Sequence, residues 1–281
     1  MKNLHQEHFE DYCLTGDFSV FEFGEVSLKI DGSPALVFGT NPTNNQFFIS
    51  TKSAFNKVKI KLCHSHEEID VYFDGEVANI LHACFDVLPR TEDIIQCDFI
   101  GFGGSDTYKP NTITYVFPEI ITQKVIVAPH TKYHTKTEVK NAIISGAAPF
   151  FNDTTEVKFV QPIVDYIKPR FPVIDTEGIR FLTVKEASEA KKSINSLIRS
   201  GEELTWSVLS EILDKKLAHL YLTMIEIKED LMECMIVSNS PSAFIDGVPI
   251  IGEGFVLKNQ NMMIKLVNRS VFSYHNFQKH F

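Results

Sequence analysis

The order of hydrophobic periodicities is what most constrains this 281-residue chain. Residues patterned as strand lie toward both ends, and a stretch patterned as helix separates them. Thr183-Val-Lys-Glu186 fits a capping box, in which hydroxyl and carboxylate each satisfy a backbone N–H at a helix start. It predicts a helix that ends near Gly201. A second helix is expected from Thr205, with Trp206, Leu209, Ile212, Leu213, Leu217 and Leu220 on one stripe. Residues 222–237 either continue it or form a third helix. Before this block, Val77, Ile80, Leu81, Cys84, Phe85 and Leu88 fall on one face and predict a helix over 76–88, with Asp74 as N-cap and Pro89 as stop. Strands are expected at 18–23, 26–30, 35–38, 47–49, 94–102, 113–117 and 125–127, and again at 250–258 and 262–267, with turns at Asp31-Gly32 and Asp246-Gly247. Strand segments on both sides of a helical excursion describe one α+β domain carrying an insert. The expected division is 1–160 for the first part of the domain, 161–240 for the helical insert and 241–281 for the returning strands.

Composition narrows the function classes. Apolar content of 44% and charged content of 22% are those of an ordinary globular protein. No stretch approaches the length needed to cross a membrane, and the N-terminus lacks the apolar core of a signal peptide. Five widely spaced cysteines imply a reduced, cytoplasmic protein without a disulfide framework. Cys63, His64 and His66 have no partner at ligand spacing and do not make a zinc site. A net charge of −9 argues against a broad nucleic-acid coat. Two stretches nonetheless run basic. Phe255–Phe281 holds Lys258, Lys265, Arg269 and Lys279 with no acid, and Lys124–Lys140 holds four lysines and two histidines against Glu138. Each could be a local anion-binding face or solvated surface charge.

The residues that carry chemistry sit at the two ends. Leu28-Lys29-Ile30-Asp31-Gly32-Ser33 places a lysine at the end of an apolar strand, just before Asp-Gly. Far downstream come Glu253-Gly254-Phe255-Val256-Leu257-Lys258 and Met263-Ile264-Lys265. Together these resemble the first, fourth and fifth motifs of the covalent nucleotidyltransferase superfamily, which comprises ATP-dependent DNA and RNA ligases and GTP-dependent mRNA-capping enzymes. The resemblance covers residues 29–117 and 246–267. Ser33 favours the RNA-ligase branch, because the other branches usually carry arginine there, and with it ATP over GTP. The runs Lys29–Ala35 and Tyr108–Tyr115 are also similar to ligase-like proteins of tailed bacteriophages, which would put the chain in a host cytoplasm.

The resemblance implies an adenylation-domain fold of antiparallel sheets, related to ATP-grasp, with Lys29 as the nucleophile that forms lysyl-AMP. An amine attacks phosphorus only when deprotonated, so nearby cations that lower its pKa activate it. Lys258 and Lys265 are expected in that role, joined through a three-residue turn. Asp31, Gly32, Ser33 and Lys52 would hold the nucleotide, and Phe117 is the candidate to stack on the purine, although a core role is the commoner one for one of 23 phenylalanines. Glu253 is expected to hold Mg²⁺, directly or through water. The third-motif acid is either Glu76, 47 residues after Lys29, or Asp98, 69 residues after it. Asp98 is preferred as both nucleotide contact and metal ligand because its surroundings read as strand, whereas Asp74-Gly-Glu76 is explained by helix capping.

The resemblance thins beyond Lys265. Superfamily ligases continue into a second domain, often an OB-fold, and only sixteen residues follow Lys265. With no OB-fold, the helical insert or a partner protein would engage the RNA or other nucleic-acid end, or the acceptor is not nucleic acid. A catalytically idle nucleotide-binding or structural phage part is the remaining alternative.

Overall fold

The computed structural model describes residues 6–167, 169–258 and 262–272. In chain order the strands of the first half are β1 (Gln6–His8), β2 (Glu25–Lys29), β3 (Ala35–Asn41), β4 (Gln46–Thr51), β5 (Ile94–Phe102), β6 (Thr107–Tyr108), β7 (Thr114–Val116) and β8 (Val125–His134). They continue as β9 (Ile143–Ala147), β10 (Val157–Phe159), β11 (Ile163–Tyr166), β12 (Met235–Ser238), β13 (Ser242–Ile245), β14 (Val248–Ile250), β15 (Gly254–Lys258) and β16 (Met263–Val267). The helices are α1 (His66–Tyr72), α2 (Gly75–Val87), α3 (Val184–Arg199), α4 (Trp206–Leu209) and α5 (Lys215–Glu233). The fold is mixed α+β with mostly antiparallel sheets, and none of the sheets closes into a barrel among the described residues.

The chain divides into two compact units, and the division differs from the expected one. Lys29–Ile163 and Asn239–Gly252 form the first; residues 6–28, 164–238 and 253–272 belong to the second. The helices at 184–233 are therefore not a separate insert. They share a unit with the N-terminal segment and the last two strands.

In the first unit β10, β8, β5, β3 and β4 follow one another in a sheet, with β9 added on β8. Period-2 alternation along β3 sorts its side chains. Leu36 and Phe38 join Ile49, Leu81, Cys97 and Val127 in a core on one face, whereas Val37 packs on the other face with Phe48, Ala54 and Ile94. Helix α2 supplies Ile80, Leu81 and Cys84 to the first of these cores, as its periodicity predicts. A second sheet runs β14-β13-β7-β6. Asp246 and Gly247 join β13 to β14 with φ of +48° and +83°, the double positive φ of a type I′ turn that Asp-Gly favours.

In the second unit the sheet order is β1-β16-β15-β2, and β11 pairs with β12. A Cβ at Gly254 would lie 2.0 Å from the Leu266 carbonyl oxygen, so only glycine fits where β15 and β16 cross. The capping box at α3 forms as expected: Thr183 N donates to Glu186 Oε2 at 2.8 Å and Glu186 N to Thr183 Oγ1 at 3.3 Å. That backbone N–H, Arg180 and the Thr183 hydroxyl hold the Glu186 carboxyl down to about 2.

Three local expectations are corrected. The single stripe from Thr205 breaks into α4 and α5, because the Asp214 side chain accepts from Lys216 N and caps a new helix. Residues 19–21 form a 3-10 turn instead of a strand, with Phe21 set against Phe9 and Phe171. Residues 250–258 are two strands, β14 and β15, interrupted at 251–253. The expected Asn-Gln-Asn turn at 259–261 and Lys279 lie outside the described residues.

A buried charge network sits in the second unit. Tyr221 Oη donates to Asp11 at 2.7 Å and Lys228 Nζ to Glu10 at 3.0 Å. Arg269 Nη1 lies 3.2 Å from Glu10, 3.1 Å from Asp11 and 3.1 Å from Tyr221 Oη, while Nη2 donates to Asn195 on α3. All but Asn195 are buried. Burial pushes the Glu10 carboxyl up, but Lys228 and Arg269 outweigh it and hold the group below its usual range. His8, beside this network with Nδ1 sealed from solvent, is held down to about 3 by burial first and then by Arg269. Arg269, read from sequence as part of an anion-binding face, is thus committed to the protein's own carboxylates.

Candidate active site

Lys29 ends β2 half-buried, and the chain then runs through Ile30 into the loop Asp31–Pro34. Asp31-Gly32 was expected to close a hairpin, but β2 and β3 lie in different sheets and Gly32 has no positive φ. Gly32 is instead required by close approach. A Cβ there would sit 2.6 Å from the Phe99 carbonyl oxygen and 2.9 Å from Asp98 Cβ. Two backbone bonds seat the loop on β5: Ser33 N donates to Phe99 O at 2.9 Å and Phe99 N to Pro34 O at 3.0 Å. From the other side, buried Asp31 donates its backbone N–H to Tyr115 Oη at 2.7 Å. The segment that begins at Lys29 is therefore held by main-chain bonds at fixed points, while the Ser33 side chain is exposed.

Asp98 lies beside this loop, opposite Ala35 in the β3–β5 register. Its side chain keeps 13% of its surface accessible, enough to reach a ligand without being fully solvated. Glu76, the other third-motif reading, is exposed in the first turn of α2, with Asp74 at the N-cap position. Opposite Asp98 the β5–β8 pairing slips by one residue, Gln96 facing Thr131 and Cys97 facing Pro129. Such a bulge re-aims the extra side chain. Here it brings His130 Nε2 to 3.7 Å from Asp98 Oδ1, while His130 Nδ1 bonds Thr131 Oγ1 at 2.7 Å. At 3.7 Å the imidazole and carboxylate attract only if the ring is charged, and they do not hydrogen-bond. His130 was missed because it lies in the basic run 124–140, and nothing in the sequence signals the bulge. Of the run's lysines, Lys124, Lys132 and Lys140 pair with Asp86, Asp93 and Glu138.

Lys52 is exposed and opens the 3-10 helix Lys52–Phe55. The register Thr51↔Leu36↔Cys97 puts it at the same end of the sheet as the Gly32 loop and Asp98. Phe117 is buried, edge-on to Tyr108 with centroids 5.7 Å apart. It lines a cavity of about 370 Å³ with Phe150, Phe151, Phe159 and Asn239, and otherwise has the core role that its sequence context allowed.

The distal residues belong to the second unit. Lys258 and Lys265 share one face of the β15–β16 hairpin, because Lys265 opposes Val256 and Lys258 opposes Met263. Glu25 Oε2 holds Lys258 at 2.8 Å, and Lys265 pairs in register with His8 of β1. Glu253 immediately precedes β15. Among the described residues no group of three or more histidines, cysteines and acids could hold a metal ion. Mg²⁺ needs no such cage, since it binds through one or two carboxylates together with substrate phosphates, and Asp98 fits that chemistry.

The chain matches the family described as "Family of unknown function (DUF6267)" over residues 3–213 and 183–280. It belongs to that family. No curated protein matches the chain, and no solved structure does. No described helix is long and apolar enough to cross a membrane, and all five cysteines carry free thiols. Membership assigns no chemistry to this DUF6267 chain.

Proposed function

We propose that this protein is an ATP-dependent nucleotidyltransferase of the RNA-ligase-like kind, with an adenylation-domain fold, in which Lys29 carries AMP. The observation that carries the reading is the seat of the Gly32 loop on β5. It excludes a Cβ, locks the backbone that follows Lys29, and sets a partly accessible carboxylate, Asp98, beside it. A nucleophile's strand continuing into a rigid loop next to one acid is the arrangement a covalent transfer requires, because positioning supplies much of the rate.

In the first step the neutral Nζ of Lys29 attacks the α-phosphorus of ATP. The N–P bond forms as the bond to the pyrophosphate oxygen breaks, pyrophosphate leaves with the electron pair, and the proton lost from Nζ passes to solvent. In the second, an oxygen of an RNA 5′-phosphate attacks the same phosphorus, the N–P bond breaks with its electron pair going to nitrogen, and Lys29 recovers its amine by taking a proton from solvent. Asp98 offers an oxygen ligand to Mg²⁺, which when bound neutralises charge on the phosphates. Lys52 serves phosphate or ribose from the same sheet end. The resemblance gives Lys258 and Lys265 charge neutralisation and Glu253 metal ligation, parts that substitution kinetics test.

The test is incubation of purified protein, first stripped with pyrophosphate, with α-labelled ATP or GTP and Mg²⁺. Intact mass and a denaturing gel then report any adduct. One AMP on Lys29, stable to alkali and lost in acid, is the expected result. No adduct with either nucleotide overturns the proposal and leaves a binding or structural role. An adduct that no RNA end discharges keeps the first step and moves the acceptor to another class.

A further inference from the structure

Helices α1 and α2 of the first unit each carry a histidine and an aspartate one turn apart, His66 and Asp70 on α1, His82 and Asp86 on α2. The four side chains cross between the helices. His66 Nε2 meets Asp86 Oδ1 at 2.8 Å, His82 Nε2 meets Asp70 Oδ1 at 2.9 Å, and the two Nδ1 atoms face each other at 2.6 Å. The ring planes differ by 18°, and their centroids are 4.9 Å apart. That separation exceeds the nitrogen distance by about two ring radii, so the rings meet edge to edge in nearly one plane instead of stacking.

Counting protons restricts this geometry to one state. Each carboxylate accepts from an Nε2–H, which fixes both outer nitrogens as donors. If both rings are neutral, two lone pairs then confront each other across 2.6 Å; if both are charged, two N–H groups do. Only one proton between the inner nitrogens makes a bond. A zinc ion in its place is too large, because its bonds to nitrogen are about 2.0–2.1 Å each. We infer that His66 and His82 share a single proton in an N–H···N bridge that clasps α1 to α2, and that the clasp opens when the pair either gains or loses a proton.

The surroundings define what else acts on the pair. Glu67 and Asp70 belong to α1 and Asp86 to α2; Arg90 follows α2 and acts on Asp86, and Lys124 Nζ lies 3.9 Å from Asp86 Oδ2. The Phe85 ring stands edge-on to His66 at 5.2 Å. Below the clasp α1 is anchored to the core by Ile69, whereas Val71 is exposed, so α1 is the helix the clasp can release. The clasp is independent of the nucleotidyltransferase reading, since it uses none of that site's residues.

The test is NMR of the full-length protein with ¹⁵N-labelled histidine across a pH series, together with amide exchange of α1. At the pH where the clasp is closed, both Nε2 atoms should be protonated and one further proton should couple to both Nδ1 atoms. Exchange protection of α1 should peak there and fall about tenfold toward either side, as for loss of a hydrogen bond to a charged group. His82→Gln should flatten the peak. A wild-type profile that changes in one direction only, or two independent Nδ1 resonances, overturns the inference without reliance on any variant. Stoichiometric Zn²⁺ uptake at the two Nδ1 atoms would overturn it too, making the pair a metal site.

Discussion

Two groups of charged residues in this protein meet opposite fates. In the second unit Glu10, Asp11, Lys228 and Arg269 lie buried within hydrogen-bond distance of one another, two acids against two bases. In the first unit Asp98 keeps a partly accessible carboxylate, with His130 at 3.7 Å, too far for a hydrogen bond. Charges removed from water must neutralise each other, and doing so leaves nothing for a ligand. A carboxylate that is shielded but not matched retains capacity for one. The difference separates structural charge from candidate chemistry better than residue type does, since both groups set acids near bases.

Substitutions can break or sharpen this contrast. Lys29→Ala should abolish nucleotide transfer with the fold intact by circular dichroism; turnover at the wild-type level would remove Lys29 from the chemistry. Asp98→Asn should slow adduct formation by about 10²-fold, the range for loss of one electrostatic contact at a reacting phosphate, while the melting temperature stays near the wild-type value. Arg269→Leu should do the reverse. It removes the cation that Glu10 and Asp11 share, leaving Lys228 to Glu10 and only the Tyr221 hydroxyl to Asp11, and should cost about 3–5 kcal/mol of stability in denaturant unfolding. A stable Arg269→Leu protein that fails to label would show that the network serves the site.

Acid tests the same contrast through His8. The unfolded chain takes up a proton on this residue below 6.5, but the folded one refuses it until about 3. Stability is therefore full above 6.5 and falls as pH drops through that window, by up to about 1.4 kcal/mol per unit. His8→Phe should flatten that limb of the stability curve, and an unchanged slope would assign acid sensitivity elsewhere. The smallest effect is expected at Thr183→Ala, which removes one half of the α3 capping box and should cost about 1 kcal/mol. Labelling at Lys29 should be unaffected.

Local patterns were legible in the sequence wherever a short-range rule operates. The α2 face, the α3 capping box and the Asp246-Gly247 turn all follow from neighbours within a few residues, as does strand β5. Misreadings came where a distant partner decides. Phe18–Phe23 has strand composition, but its rings pack on Phe9, Phe171 and Phe181 around a turn. Asp31-Gly32 spells a hairpin, yet Gly32 is there because of β5, 66 residues away in the chain. His130 carries no local mark, since a bulge exists only in the pairing of two strands.

The sequence alone determined the α+β class, most elements and the singling out of Lys29, because periodicity, capping and motif spacing act along the chain. The tertiary structure decided which helices join which strands, that Arg269 is spent inside the protein, and that Asp98 and not Glu76 borders the Gly32 loop. Those outcomes depend on burial and on contacts between segments far apart, where the free energy of a charge is set by what lies across from it and not by what lies beside it in the chain.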